Sequence, residues 1–165
     1  ALSNENYGLI YGTAGTIAFI LGSILSGYYI SHFGLKKTLF SLVCIFNIPF
    51  AVYLLLAIFQ PSNLWWIGTG IVFEYFSYGF GFVGITLFMM QQIAPGKYQM
   101  AHYAFANSLM NLSVMVPGML SGKLATAFGY QTFFVIVLLV TLPAIIMAIR
   151  LPFAHAVEAK KSDSK

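Results

Sequence analysis

Between Lys37 and Lys97 the chain carries one charged side chain, Glu74. A stretch of that length with so little charge cannot stay solvated. In hydrocarbon every backbone N–H and C=O must find its partner inside the protein, which restricts a spanning chain to helices or a closed barrel. Unbroken apolar runs of about 20 residues, without the polar/apolar alternation of barrel strands, select helices. Composition agrees: 59% of residues are hydrophobic and 7% charged, with a mean hydropathy of +0.85, whereas soluble domains carry about 25% charged residues.

Five apolar runs are long enough to span a bilayer: Gly8–Ser31, Thr38–Phe59, Leu64–Gln92, Tyr98–Phe128 and Thr132–Leu151. The expected fold is an all-α integral membrane bundle over residues 1–152, followed by a basic tail, 153–165. Short connections separate the runs: His32–Lys37, Gln60–Asn63, Ile93–Lys97 and Gly129–Gln131. Lys36, Lys37, Lys97, Arg150 and the tail lysines then fall on one side of the membrane. The positive-inside rule makes that side cytoplasmic, with the C-terminus inside. The opening ALSNENYG lacks a Met and a basic n-region, so it does not read as a signal peptide, and the chain is expected to begin partway through a longer protein.

The runs differ in polarity. The second and fifth are nearly continuous aliphatic and Phe residues and are expected at the periphery. The first, third and fourth carry Gly, Ser, Thr, Asn and Tyr and are expected inside. Glu74 lies about 15 Å below Leu64 at ~1.5 Å rise per residue, near the midplane of a ~30 Å hydrocarbon layer. A carboxylate there costs roughly 2.5–3.5 kcal/mol on insertion scales, so it is expected to face a protein interior or a cavity. Helical spacing puts Ser77 and Tyr78 on its face, and Asn107 and Asn111 form a second polar stripe one turn apart. These five residues are the candidate cavity. Gly118 and Gly122 have the small-xxx-small spacing of a close helix crossing.

Leu25-Ser26-Gly27, five residues, then Phe33-Gly34 recurs as Leu120-Ser121-Gly122, five residues, then Phe128-Gly129. The offset of 95 residues corresponds to three spans, and an odd number of spans places the copies on opposite membrane faces, as in inverted three-helix repeats. Gly27, Gly34, Lys36 and Lys37 also match the pattern of a loop motif, Gly, three residues, an acid, a base, any residue, Gly, then basic residues, with Ser31 and His32 in place of the acid and base. On these features the chain resembles the C-terminal half of a major facilitator superfamily transporter, its spans corresponding to helices eight to twelve. Glu74-Tyr75-Phe76-Ser77-Tyr78-Gly79-Phe80-Gly81 and Ala104-Phe105-Ala106-Asn107-Ser108-Leu109 are similar to the muropeptide permease and acetyl-coenzyme A transporter branch.

The resemblance implies part of a six-helix bundle whose partners are the lipid bilayer, a missing N-terminal half, a small solute and protons. It implies secondary active, proton-coupled solute transport by alternating access in an inner membrane, with muropeptide-like amphipathic solutes as the nearest substrate class and Gly27, Gly34, Lys36 and Lys37 as a gating loop. Two other readings stand beside it: a structural or assembly membrane protein in which Glu74 anchors a neighbouring helix, and a channel. No enzyme is expected, since HExxH, GxSxG and Ser/His/Asp patterns are missing and Asp163 is the only aspartate. No cofactor or metal is expected around the lone Cys44. The positive charge sits at span ends, which gives no case for nucleic acid. Gly79-Phe80-Gly81-Phe82-Val83-Gly84 matches the dinucleotide-binding glycine pattern but lies inside a membrane span, where neither the strand nor the aqueous helix N-terminus of that site can exist. Those glycines are expected either to bend the third span or to let it pack closely.

Overall fold

A computed structural model describes residues 8–60 and 63–151, and every secondary-structure element among them is helical. Helix α1 (Thr16–Phe33) continues from π-helical turns at Gly8–Gly15, α2 covers Leu35–Phe59, α3 (Leu64–Phe88) runs on into π-helical Met89–Ile93, and α4 covers Gln99–Arg150. Four helices are long and apolar enough to cross a membrane. The five expected runs therefore correspond to four helices, with the last two joined in α4. At ~1.5 Å per residue the 52 residues of α4 exceed twice a ~30 Å hydrocarbon layer. Gly129 breaks helical geometry inside it, at φ 77° and ψ 157°, leaving a first arm (99–128) and a second arm (130–150).

Two expected loops shrink to one glycine each. Residues 32–37 are helical except Gly34, and only Gly129 leaves the helix among 129–131. Gly34 has φ 80° and ψ 146°, nearly the values of Gly129, in a region that only glycine populates readily. Such a residue redirects the chain within one step, so no longer connection is needed. Lys36 and Lys37 remain in the first turn of α2 with exposed side chains, where long aliphatic stems carry the ammonium groups to water. At the other end of α2, Gln60 adopts a left-handed conformation and its N–H bonds Leu56 O at 2.9 Å. Asn63 caps α3 by accepting from Trp65 N at 3.0 Å. Residues 61 and 62, the segment before Gly8 and the basic tail lie outside the described residues.

Packing follows the glycines. A Cβ on Gly22 would stand 2.2 Å from Phe76 O, and one on Gly79 would stand 2.2 Å from Phe19 O, so α1 and α3 cross backbone to backbone. Ser23 Oγ reaches across this crossing to Gly79 O at 3.3 Å. On the opposite side of α3, Gly70 meets Leu56, Gly81 meets Phe46 and Gly84 meets Leu42, which sets α2 antiparallel to α3. The dinucleotide-like glycines are thus packing positions in a continuous helix. The second arm lies antiparallel on α2, where Gln131 Nε2 donates to Ala57 O at 3.3 Å and Tyr53 stacks on Phe134.

One end of the bundle carries the buried cluster Ile30, Leu35, Leu39 and Leu42, with Phe88 and Leu151 against it. Lys36, Lys37, Lys97 and Arg150 all belong to this end. The first arm of α4 behaves differently from the inner helix expected of it. Residues 111–120 are all exposed, so its Asn, Ser and Gly side chains meet little of the rest of the described chain. Polarity along one helix shows that it wants a partner, but not which element supplies one.

Candidate functional site

Helix α3 holds Glu74 one turn beyond Gly70, where the missing side chain lets Leu56 and Val52 of α2 come close. That approach brings the next inward-facing residue of α2, Tyr53, onto the carboxylate: the Tyr53 hydroxyl donates a hydrogen bond to Glu74 Oε2. A hydrogen bond to a charged group contributes about 1.5–3 kcal/mol, comparable to the roughly 2.5–3.5 kcal/mol that insertion scales assign to a carboxylate at mid-membrane. The two effects nearly offset, so an acid can be kept within an apolar helix with no basic partner among the described residues.

The Tyr53 ring is fixed by stacking on Phe134 of the second arm, with centroids 5.7 Å apart and planes 16° from parallel. Glu74 and Tyr53 line a cavity of about 520 Å³ with Phe50, Tyr75, Tyr78 and Phe134. The other rings are also held from behind. Tyr75 lies over Gly15, where an added Cβ would come within 3.1 Å of the ring, and Tyr78 packs against Phe19 and Phe46 at 5.7 and 5.6 Å. One carboxylate therefore shares the cavity with five aromatic rings, four of them packed against neighbours. A larger cavity of about 630 Å³ lies between Val52, Leu56, Phe59, Trp66, Gly70 and Phe73, and no ionisable group among the described residues lines it.

Of the residues singled out by sequence, Glu74 and Tyr78 share the cavity. Ser77 does not line it: the side chain is fully buried, and its hydroxyl finds no hydrogen-bond partner among the described residues. Asn107 and Asn111 lie on the first arm of α4 and do not line it either; Asn111 Nδ2 donates to Asn107 O at 2.9 Å within their own helix. Gly27, Lys36 and Lys37 stand exposed or half-exposed at and near the α1–α2 junction, with Gly34 as its turning point. Nothing among the described residues lies within 4 Å of where a Cβ would stand on Gly118 or Gly122. Among the described residues a close crossing is made by Gly22 and Gly79, and Gly22 lies at four-residue spacing between the buried small residues Ala18 and Ser26. Among the described residues there is no group of three His, Cys, Asp or Glu side chains that could hold a metal ion.

The residues missed by sequence are Tyr53, Phe50, Tyr75 and Phe134. Tyr53 had a faint signal, as the only hydroxyl between Ile48 and Phe59, but its span is otherwise so apolar that it reads as peripheral. Phe134 has none, since Phe is ordinary in a membrane helix.

Comparison with known proteins gives a family and distant relatives. The family description "Major Facilitator Superfamily" matches residues 2–165. A protein of Rickettsia felis named "Putative transporter AmpG 1" is 25% identical over 142 residues, covering 83% of this chain and 31% of the relative. The protein of the same name in Rickettsia conorii is 23% identical over 143 residues, covering 83% of this chain and 32% of the relative. An uncharacterized protein of Haemophilus influenzae is 25% identical over 150 residues, covering 87% and 35%. The chain spans about a third of the length of these curated relatives. No solved structure matches the chain significantly.

Proposed function

Because the chain belongs to the Major Facilitator Superfamily, we propose that it forms part of the C-terminal half of a secondary active transporter in an inner membrane, and that Glu74 is the group that couples solute movement to protons. The observation that carries this reading is the carboxylate, partway along a helix long and apolar enough to cross a membrane, hydrogen-bonded by the Tyr53 hydroxyl beside an open cavity. A phenol both donates and accepts. When Glu74 is ionised, Tyr53 donates to it; when Glu74 is protonated, its O–H donates to Tyr53 Oη. The pair thus survives a proton cycle without leaving either group unpaired. Muropeptide-like amphipathic solutes are the substrate class suggested by the AmpG-named relatives and by the sequence features of α3.

The remaining pieces fit an inverted-repeat transporter. Gly34 and Gly129 end corresponding helices with the same glycine-only geometry. The clustering of Lys36, Lys37, Lys97 and Arg150 at one end supports a cytoplasmic assignment for that end. The exposed face of the first arm, with Gly118, Gly122, Asn107 and Asn111, is assigned to packing against further helices of the complete transporter and to the solute pathway between its halves.

The test uses the complete natural protein in proteoliposomes with a labelled muropeptide. Glu74→Gln should abolish uphill uptake driven by a pH gradient yet spare exchange at equal concentrations, because exchange needs no proton release. The Tyr53–Glu74 bond also ties α3 to α2, which favours one competing reading, that the acid is an interhelical anchor. Intact gradient-driven uptake by Glu74→Gln, together with a lower unfolding temperature, would establish the anchor and remove proton coupling.

A further inference from the structure

We infer that the cavity at Glu74 is a binding site for an organic ammonium group. The inference rests on the transporter reading, not on the muropeptide-like solute class, and names the ligand group from the lining of the cavity alone. Five aromatic side chains and one carboxylate line the cavity, and among the described residues no Lys, Arg or His does. That combination discriminates by charge. Aromatic faces carry negative potential from the ring quadrupole and attract a cation within about 6 Å of the centroid, while they offer an anion nothing. Tyr53 engages Glu74 Oε2, and a carboxylate has acceptor capacity beyond one hydrogen bond for an N–H or a quaternary ammonium.

Preorganisation strengthens the case. Each tyrosine and Phe134 has a neighbour against its ring: Tyr53 and Phe134 one another, Tyr75 the backbone at Gly15, Tyr78 the rings of Phe19 and Phe46. Rings fixed before the ligand arrives lose little rotamer freedom on binding, which is where aromatic cages gain affinity over flexible apolar pockets. The volume of about 520 Å³ lies within the range of small-molecule sites and exceeds what a single ammonium with three or four short alkyl groups requires. An ammonium in the cavity also completes the electrostatics of the site. It supplies the positive charge that an ionised Glu74 lacks among the described residues that line the cavity.

The experiment is equilibrium binding of radiolabelled choline to the purified complete natural protein, with no gradient applied, so its failure leaves gradient-driven uptake as an independent matter. Choline should bind saturably, and its neutral isostere 3,3-dimethyl-1-butanol should fail to displace it. Glu74→Gln should weaken binding by roughly tenfold or more, and Phe134→Leu, which keeps apolar volume and removes a ring face, by several-fold. The inference is overturned by no saturable binding up to about 10 mM, by equal displacement with the neutral isostere, or by wild-type affinity in either variant. Should a variant fail to fold, displacement on the wild-type protein decides the matter alone.

Discussion

Adding one methyl group to Gly22 tests the α1–α3 crossing directly. The Cβ of Gly22→Ala would lie 2.2 Å from Phe76 O, 3.0 Å from Phe76 C and 3.1 Å from Phe80 N. All three are backbone atoms, so no side chain can swing aside, and α1 must move away by about 1 Å to restore van der Waals distance. That shift would also stretch the contact from Ser23 Oγ to Gly79 O, already 3.3 Å. Overpacking of this kind costs about 1–3 kcal/mol, and a clash with backbone belongs at the upper end. Replacing glycine in a helix returns up to about 1 kcal/mol of propensity, leaving a net loss of about 2 kcal/mol. Gly27→Ala, on the same helix with nothing within 4 Å, carries the propensity gain and no clash. For a chain of this size about 2 kcal/mol corresponds to about 4–8 °C in Tm. Thermal unfolding of fluorescent-protein fusions in detergent, followed by size exclusion, should show Gly22→Ala melting lower by that amount and Gly27→Ala unchanged or slightly higher. Equal melting temperatures for the two variants would refute the backbone-to-backbone crossing.

Gly34→Ala and Gly129→Ala place a side chain at φ 80° and 77°, and each should lose about 1–3 kcal/mol by strain alone, since neither site has a neighbour within 4 Å; unchanged Tm in both would mean the junctions are not held in that geometry. Tyr53→Phe should remove the hydrogen bond to Glu74 while keeping the stack on Phe134, costing about 1.5–3 kcal/mol in the same melt, and a wild-type Tm would show that Glu74 finds another donor. In a Cys44→Ser background, a cysteine at Asn63 should react with an impermeant maleimide from outside intact cells and one at Lys97 only after permeabilisation; the reverse pattern would invert the orientation.

The spans were legible because a bilayer leaves so few options: about 20 apolar residues can only be a helix, and the interiors of all five runs are helical here. Their joints were not. Lys36 and Lys37 read as loop because charges usually mark loops, yet a lysine in the first turn of a helix reaches water just as well. Glycine spacing showed which faces can pack closely but not which helix each would meet. A Cβ on Gly118 or Gly122 would meet no described residue, whereas the contact seen uses Gly22 and Gly79, 57 residues apart. Gly79 stood in the glycine-rich run of the third span and Gly22 lies between Ala18 and Ser26 at four-residue spacing, but spacing within a helix does not say which helix it meets. Glu74 stood out because charge at that depth is costly whatever surrounds it. Its partner did not, because a Tyr in an aliphatic span is cheap anywhere near an interface and gains meaning only when the α2–α3 register is known.

That register also shows how the site relates to the internal repeat. The two copies are offset by 95 residues, so Tyr53 corresponds to Ala148 and Phe134 to Leu39. In the structure Tyr53 stacks on Phe134, and Leu39 and Ala148 face a common cavity of about 350 Å³ at the other end of the same helix pair. Antiparallel pairing of α2 with the second arm therefore has the register that a two-fold axis between the copies demands, the geometry of inverted repeats. Under that axis the aromatic pair beside Glu74 maps onto a Leu and an Ala. The scaffold is repeated and the chemistry is not: substituting two small or aliphatic residues by Tyr and Phe at one end of a symmetric helix pair creates both the donor for the carboxylate and the ring that holds that donor in place. A candidate site placed where a repeat loses its symmetry is invisible to any search for the repeat itself. It is instead marked by the residues at which the two copies disagree.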